Sequence, residues 1–348
     1  MSSELIAYCE RLRSDLFPSG LLADWLEIDG PVIHVTLPFP AGPGLRELVA
    51  TDSMLRSYTW DIEVAVQPLP PQRRPELSSA YAKNASQGPK NVIAVASGKG
   101  GVGKSAVTLS LAYALAQMGA KVGVLDGDIY GPSLPIMLGN VNDKLTFTPN
   151  RKMLPIRKNG IEANSLGYLV DEGDATIWRG PMASRALEQL FFDTQWSALD
   201  YLLIDMPPGT GDLQLTLAQK LPVTAAVVVT TPQNIALSDA EKGIRMFRKV
   251  GVPVIGVIEN MSFHECENCG HHNLIFGEGG ADRLSADESV PVLGHWPLLT
   301  QMRAALDEGI PFHEGHADHP AVKIQQESAQ RLVANAWDLL HDEPVVPE

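Results

Sequence analysis

NVIAVASGKGGVGKSA, residues Asn91 to Ala106, joins the three parts that a phosphate-binding site at a sheet edge requires. Val92 to Ala96 is an apolar strand, Ser97 to Gly103 a glycine-rich loop, and Lys104 and Ser105 open a helix carried on by Leu109, Leu111, Ala112, Leu115 and Met118. Gly98, Gly103, Lys104 and Ser105 satisfy the pattern G-x-x-x-x-G-K-[ST]. A triphosphate needs several backbone N–H groups converging on its oxygens, and side chains would obstruct that approach. Gly98, Lys99, Gly100, Gly101, Val102 and Gly103 would supply the N–H groups. The helix N-terminus adds partial positive charge, Lys104 reaches the terminal phosphates, and the Ser105 hydroxyl ligates Mg²⁺.

The bulk of the chain is consistent with such a site. Its 348 residues suffice for one large and one small domain, and 45% hydrophobic with 20% charged residues is ordinary globular composition. A net charge of −14 argues against a general nucleic-acid binder, which needs a basic face. MSSELIAYCERLRSD lacks the basic-then-apolar order of a secretory signal, and no apolar run approaches membrane-spanning length. The expectation is therefore a cytoplasmic protein without a membrane partner. Three cysteines, Cys9, Cys266 and Cys269, fit a reducing compartment in which thiols serve as ligands or nucleophiles.

Residues 1–68 read as a small α+β domain: an amphipathic helix with Leu5, Ile6, Leu12 and Leu16, a strand Val32 to Leu37, a helical stretch with Leu45, Leu48 and Val49, and a strand Asp61 to Val66. Residues 69–90, rich in proline and small polar residues, read as a linker. Residues 91–348 have the rhythm of a mostly parallel α/β sheet flanked by helices, the fold class of a P-loop NTPase. The expected strands are Val92–Ala96, Lys121–Leu125, Tyr201–Ile204, Ala225–Thr230, Val254–Ile258 and Val290–Gly294, near-continuously apolar as strands buried on both faces are. A helix Ser184–Phe192 and a closing helix Ala321–Leu340 before an acidic tail complete the pattern.

Ligands in such sheets sit beyond the carboxyl ends of the strands, where the remaining motifs fall. Asp126 and Asp128, in LDGDIYGPS, can orient a water for attack on the γ-phosphate or hold Mg²⁺ through its waters; as plain turn carboxylates they would cap a helix. Asp205 ends the apolar run LLID, the second nucleotide motif, with its carboxylate near Mg²⁺. PPGTGD follows, with the Gly209 N–H as a candidate γ-phosphate sensor. Asn260, at the end of GVPVIGVIEN, can read the adenine edge through an amide donor and acceptor, favouring ATP, and Pro297, after the last strand, can pack on the base.

Cys266 and Cys269 form C-x-x-C, close enough to share a soft metal, and three readings stay open. They can join His264, His271 or His272 in a zinc site, although imidazoles so near in sequence close a tetrahedron with difficulty. They can be a redox dithiol, although they open no helix. Or two chains can each give a pair across a two-fold axis, four thiolates for an iron–sulfur cluster or a zinc. His313, His316 and His319 read as solvated surface, Cys9 as a packed or exposed thiol, and Trp178 as core, with Arg179 near an anion as the alternative use of that turn.

Lys99, a second lysine inside the loop, makes GKGGVGKS resemble the deviant phosphate loop of the nitrogenase iron protein, arsenite-pump ATPase and MinD class, whose extra lysine reaches across a dimer to the partner's nucleotide. Taken in order, GKGGVGKS, DGDIYGPS, WRGPMAS, DMPPGTGD, TTPQNIALSDAEKG, ENMS and CENCGHH resemble the Mrp/ApbC family of iron–sulfur cluster carrier ATPases, over Asn91 to about Leu340. The resemblance implies a homodimer that binds a [4Fe–4S] cluster between paired Cys266 and Cys269, hydrolyses ATP with Mg²⁺, and exchanges clusters with scaffold and apo-proteins. It implies that Lys99, Lys104 and Ser105 hold phosphate and Mg²⁺, that Asp126 or Asp128 positions water, and that Asp205 completes the metal shell. The N-terminal domain resembles a divergent cluster-assembly domain and lacks its cysteine. Two other classes fit parts of the chain: a MinD- or ParA-like positioning ATPase, which leaves the cysteines unexplained, and a zinc-stapled adaptor with slow turnover.

Overall fold

The computed structural model describes residues 2–69, 88–129, 131–169 and 180–341. Most of the expected linker, Tyr130, Trp178, Arg179 and the acidic tail lie outside them.

The first unit is a three-stranded sheet, β1 (Leu26–Asp29), β2 (Val32–Leu37) and β3 (Thr59–Val64), with β2 in the middle, antiparallel to β1 and parallel to β3. β2 alternates as its sequence demands, with Ile33, Val35 and Leu37 buried and His34 and Thr36 exposed. The helix Gly42–Thr51 makes the crossover to β3, and the helix Ser2–Cys9 packs Leu5 and Cys9 into the same core. β3 ends at Val64 rather than Val66, and β1 was not foreseen from the sequence.

The rest of the described chain carries β4 (Asn91–Ala96), β5 (Val122–Asp126), a small hairpin of β6 (Thr146–Phe147) and β7 (Met153–Leu154), β8 (Ile156–Lys158), β9 (Ile161–Ser165), β10 (Tyr201–Asp205), β11 (Ala225–Thr230), β12 (Val254–Glu265), β13 (His272–Asn273) and β14 (Val292–Leu298). Nine of these strands form one sheet in the order β13-β12-β11-β4-β10-β5-β9-β8, with β14 also paired to β12. Every pairing in it is parallel except β12 with β13 and β8 with β9. This is the expected mostly parallel α/β architecture.

Successive residues of the central strands feed opposite cores. Ile93, Val95, Val124 and Leu203 face the helices Lys104–Gln117 and Pro320–His341, while Val92, Ala94, Ala96, Leu125, Leu202 and Ile204 face the helices Gly180–Phe192, Asp212–Lys220 and Asn234–Lys249. Burial on both sides explains why these strands read as unbroken apolar runs. The parallel direction brings Ser97, Asp126, Asp205 and Asn260 out at one edge. Two expected strands differ: β12 continues seven residues past Ile258, and β14 covers Val292–Leu298, so Pro297 is a buried strand residue paired with Phe263 rather than a loop residue beyond the last strand. A buried strand position leaves the ring no open face for a base.

The small unit is seated on the closing helix Pro320–His341. Trp337 packs against Trp25 and Phe39 at ring separations of 6.1 and 5.9 Å, Ser19 Oγ donates to Asp338 (2.6 Å), and the Gly44 N–H donates to Gln330 (2.8 Å). At the sheet's far edge Lys90 Nζ bridges the Val66 carbonyl and Asp200, and Asn91 accepts from the Leu69 N–H at 2.7 Å.

Candidate nucleotide site and cysteine hairpin

The loop after β4 has the backbone its glycines permit. Gly101 and Gly103 stand at φ 83° and 78°, which side-chain-bearing residues rarely adopt. A Cβ on Gly98 would lie 2.1 Å from the Asp239 carbonyl carbon, so only glycine lets the helix Asn234–Lys249 approach the loop this closely. A Cβ on Gly101 would meet nothing within 4 Å; the space above the loop is an open cradle, which fits phosphate oxygens. The Lys104 and Ser105 pair starts the helix here, and the Ser97 hydroxyl bonds the Lys99 carbonyl at 2.8 Å.

Lys104 and Asp205 are buried and 2.5 Å apart, with Ser105 Oγ 3.5 Å from the same ammonium. Thr108, one turn into the helix, donates to Asp205 at 3.1 Å, a contact the sequence did not announce. In register beside Asp205 on β5 stands Asp126, buried and accepting from the N–H groups of Asp128 (3.0 Å) and Leu134 (3.2 Å) and from Ser165 Oγ (2.9 Å). Burial, then the neighbouring Asp205, pushes the Asp126 carboxyl up to about 7.

Asp128 is differently placed. Half-buried, it lines a cleft of about 420 Å³ with Gly131, Pro207, Pro208, Gly211, Leu213 and Gln214. Buried Gln214 donates through Nε2 to the Pro207 carbonyl and so fixes the start of PPGTGD. Gly209, at φ 102°, donates its N–H to the Ser97 carbonyl at 3.0 Å. That N–H is therefore engaged by the phosphate loop, and sensing a γ-phosphate requires that this bond be exchanged.

Asn260 lies within β12, not at its end. Its Nδ2 donates to the Val102 carbonyl at 2.9 Å, and a Cβ on Gly103 would collide with the same atom at 2.3 Å. In this state the amide nitrogen holds the loop, which leaves only Oδ1 for a base. Next to it, buried Glu259 accepts from Ser262 Oγ (2.8 Å), the Ala281 N–H (2.8 Å) and His295 Nδ1 (3.0 Å). Burial alone would raise the Glu259 carboxyl; His295, Ala281 and Ser262 together hold it below its ordinary range. This network too went unread in the sequence.

β12 runs on into the cysteines. Cys266 follows its last residue, the Cys266 N–H donates to the His271 carbonyl (2.9 Å), the Gly270 N–H donates to the Cys266 carbonyl (2.8 Å), and β13 closes the hairpin. Gly270 takes φ 67° to make the turn. Phe263 stacks on His272 at 4.4 Å, which directs that ring to the hairpin stem. The Cys266 thiol sits below its ordinary range because the N–H groups of Asn268 and Cys269 point at its sulfur. Cys266 is half-buried and Cys269 exposed. Among the described residues no three His, Cys, Asp or Glu side chains come together as a metal-binding group.

The other candidates have structural roles. His313 packs edge-on to Tyr113, His316 stacks on Phe312 at 4.5 Å, and His319 Nδ1 accepts from the Ala321 N–H at the start of the closing helix. Cys9 is fully buried, and burial pushes its thiol up to about 11. No helix among the described residues is long and apolar enough to cross a membrane.

A parallel sheet with a phosphate loop after its central strand and carboxylates ending both strands beyond it defines a P-loop nucleotide-binding protein. The comparison with known proteins narrows the class. The ParA family model described as NUBPL iron-transfer P-loop NTPase matches residues 88–333, and the chain belongs to that family. An iron-sulfur cluster carrier protein of Haemophilus influenzae is 51% identical over 80% of this chain and 75% of its own. One from Deinococcus radiodurans is 42% identical over 92% of this chain and 90% of its own. Among solved structures, a nucleotide-binding protein from Archaeoglobus fulgidus in complex with ADP is 35% identical, with a TM-score of 0.58 over 67% of this chain and 90% of that one.

Proposed function

We propose that this protein is a homodimeric ATPase that carries a [4Fe–4S] cluster between paired Cys266 and Cys269 and passes it to apo-proteins. One observation carries the reading: the strand that reaches the phosphate loop through Asn260 runs on into a hairpin presenting two thiols, and among the described residues no three metal-ligating side chains come together there. A cubane cluster takes four thiolates, so a second chain completes the set. The relatives named as cluster carriers support the cargo.

In the nucleotide site the backbone N–H groups of residues 98–103 cradle the phosphates, and Lys104 exchanges Asp205 for the terminal phosphate oxygens. Lys99 reaches the nucleotide of the second chain. Ser105 and Asp205, with Asp126 behind, would hold Mg²⁺, which on binding neutralises charge on the phosphate oxygens. Asp128 rather than Asp126 orients the attacking water, because Asp128 lines the open cleft while Asp126 is fully buried. The Gly209 N–H passes from Ser97 to the γ-phosphate, and Asn260 Oδ1 faces the base. Pro207 and Pro208 stiffen a loop in which Gly209 takes a positive φ. Turnover is slow and linked to loading or release of the cluster.

Anaerobic reconstitution with iron and sulfide, read by absorption and by iron and zinc analysis, tests this. Wild type is expected to gain a cluster, and Cys266→Ala to lose it while keeping nucleotide affinity. Zinc alone would favour an adaptor, and no metal a positioning ATPase. Loss of cluster and nucleotide together in Cys266→Ala would make the hairpin structural.

A further inference from the structure

The nucleotide loop and the cysteine hairpin are joined by an irregularity in β12. Glu259 pairs with His295 and Phe263 with Pro297, so four steps along β12 match two along β14, and Asn260, Met261 and Ser262 bulge opposite Trp296. Met261 occupies the left-handed region at φ 57°, a conformation that a side-chain-bearing residue holds only when its surroundings impose it. Bulges beside functional sites re-aim side chains. Here the bulge turns Asn260 onto the Val102 carbonyl and sets the Met261 methyl against Gly103.

On its other side the bulge is pinned. Ser262 Oγ lies 2.8 Å from the Glu259 carboxylate and 2.9 Å from the Glu259 carbonyl, spanning the irregularity from both ends. The same carboxylate is held by the Ala281 N–H and by His295, from two further elements. Immediately beyond, Phe263 stacks on His272 inside the cysteine hairpin. Contacts therefore run from Val102 to Cys266 with no slack loop between them.

Resting on the carrier reading above, we infer that Glu259 and Ser262 are positioning residues that lock the Asn260–Ser262 bulge as a rigid joint, through which movement of the phosphate loop reorients the Cys266–Cys269 hairpin. The joint makes the thiols' accessibility depend on the nucleotide. Ser262→Ala removes the hydroxyl that spans it. Met261→Gly places there a residue that adopts the same φ without cost, and so softens the joint without a folding penalty from strain.

The test follows alkylation of Cys266 and Cys269 by iodoacetamide in the full chain, reduced and metal-free, with and without Mg·ADP, by peptide mass spectrometry. In wild type Mg·ADP is expected to change the rate at least about fivefold, the low end of an ordinary coupling between sites. Ser262→Ala and Met261→Gly are expected to reduce this below about twofold while Mg·ADP affinity stays within about twofold of wild type. If wild type responds and both variants respond equally, the joint is refuted and the carrier reading stands. If wild type itself does not respond, nucleotide and cysteines are uncoupled, and the inference falls with that part of the carrier reading.

Discussion

Replacing Lys104 by alanine should cost the nucleotide-free protein about 3 kcal/mol. The Lys104 and Asp205 side chains are 6% and 4% exposed, and removing one partner of such a pair leaves an uncompensated buried charge, a loss of about 3–5 kcal/mol. Thr108 keeps its bond to Asp205, which places the value at the low end. The variant also acquires a pH signature. In wild type the Asp126 carboxyl stands at about 7, against about 3.9 in an unfolded chain. Between those values the folded protein holds a proton that the unfolded one releases, so stability falls as pH rises through that window and levels off above it. Without the lysine, Asp126 is left beside the Asp205 carboxylate with no cation between them, which pushes the Asp126 carboxyl further up. Stability of the variant should then go on falling above about pH 7, where wild type is level. Urea unfolding followed by circular dichroism across that range measures both effects, and Lys104→Ala/Asp205→Asn should recover most of the loss. A Lys104→Ala chain within about 1 kcal/mol of wild type, with the same pH dependence, would refute the reasoning.

Asp128→Asn should lower ATP hydrolysis by roughly 10²-fold or more while Mg·ATP affinity holds, since it removes a proton acceptor and no phosphate contact; unchanged turnover would return the role to Asp126. Trp337→Ala should cost about 3–5 kcal/mol and raise hydrogen exchange in residues 2–69, because the indole is 8% exposed between Trp25 and Phe39. A loss below about 1 kcal/mol would mean that the small unit is held by its hydrogen bonds instead.

What the sequence made legible was local. The phosphate loop needs its residues consecutively, as do the run ending in Asp205 and the cysteine turn, so spacing alone exposed them. β9 was invisible because Glu162, Asn164 and Ser165 are buried polar residues, satisfied by Arg157 on the neighbouring strand and by Thr194 and Asp126 30 and 39 positions away, and no apolar period marks it. The continuation of β12 was hidden for a related reason: a bulge breaks the alternation of NMSFHE at Met261. At the end of GVPVIGVIEN the sequence places Asn260 to read the adenine edge, yet its Nδ2 donates to Val102, 158 residues away. The Glu259 network joins residues up to 36 positions apart, and no pattern in either segment announces it. Pairwise partners across a sheet edge are set by register, which one sequence does not carry.

The proposed function requires two chains to share one cargo. Light scattering and iron analysis on the anaerobically reconstituted, nucleotide-saturated protein should find iron only in the dimer, at about one four-iron cluster per two chains, and none in a Cys266→Ala/Cys269→Ala chain. A strictly monomeric protein that keeps its iron would contradict it.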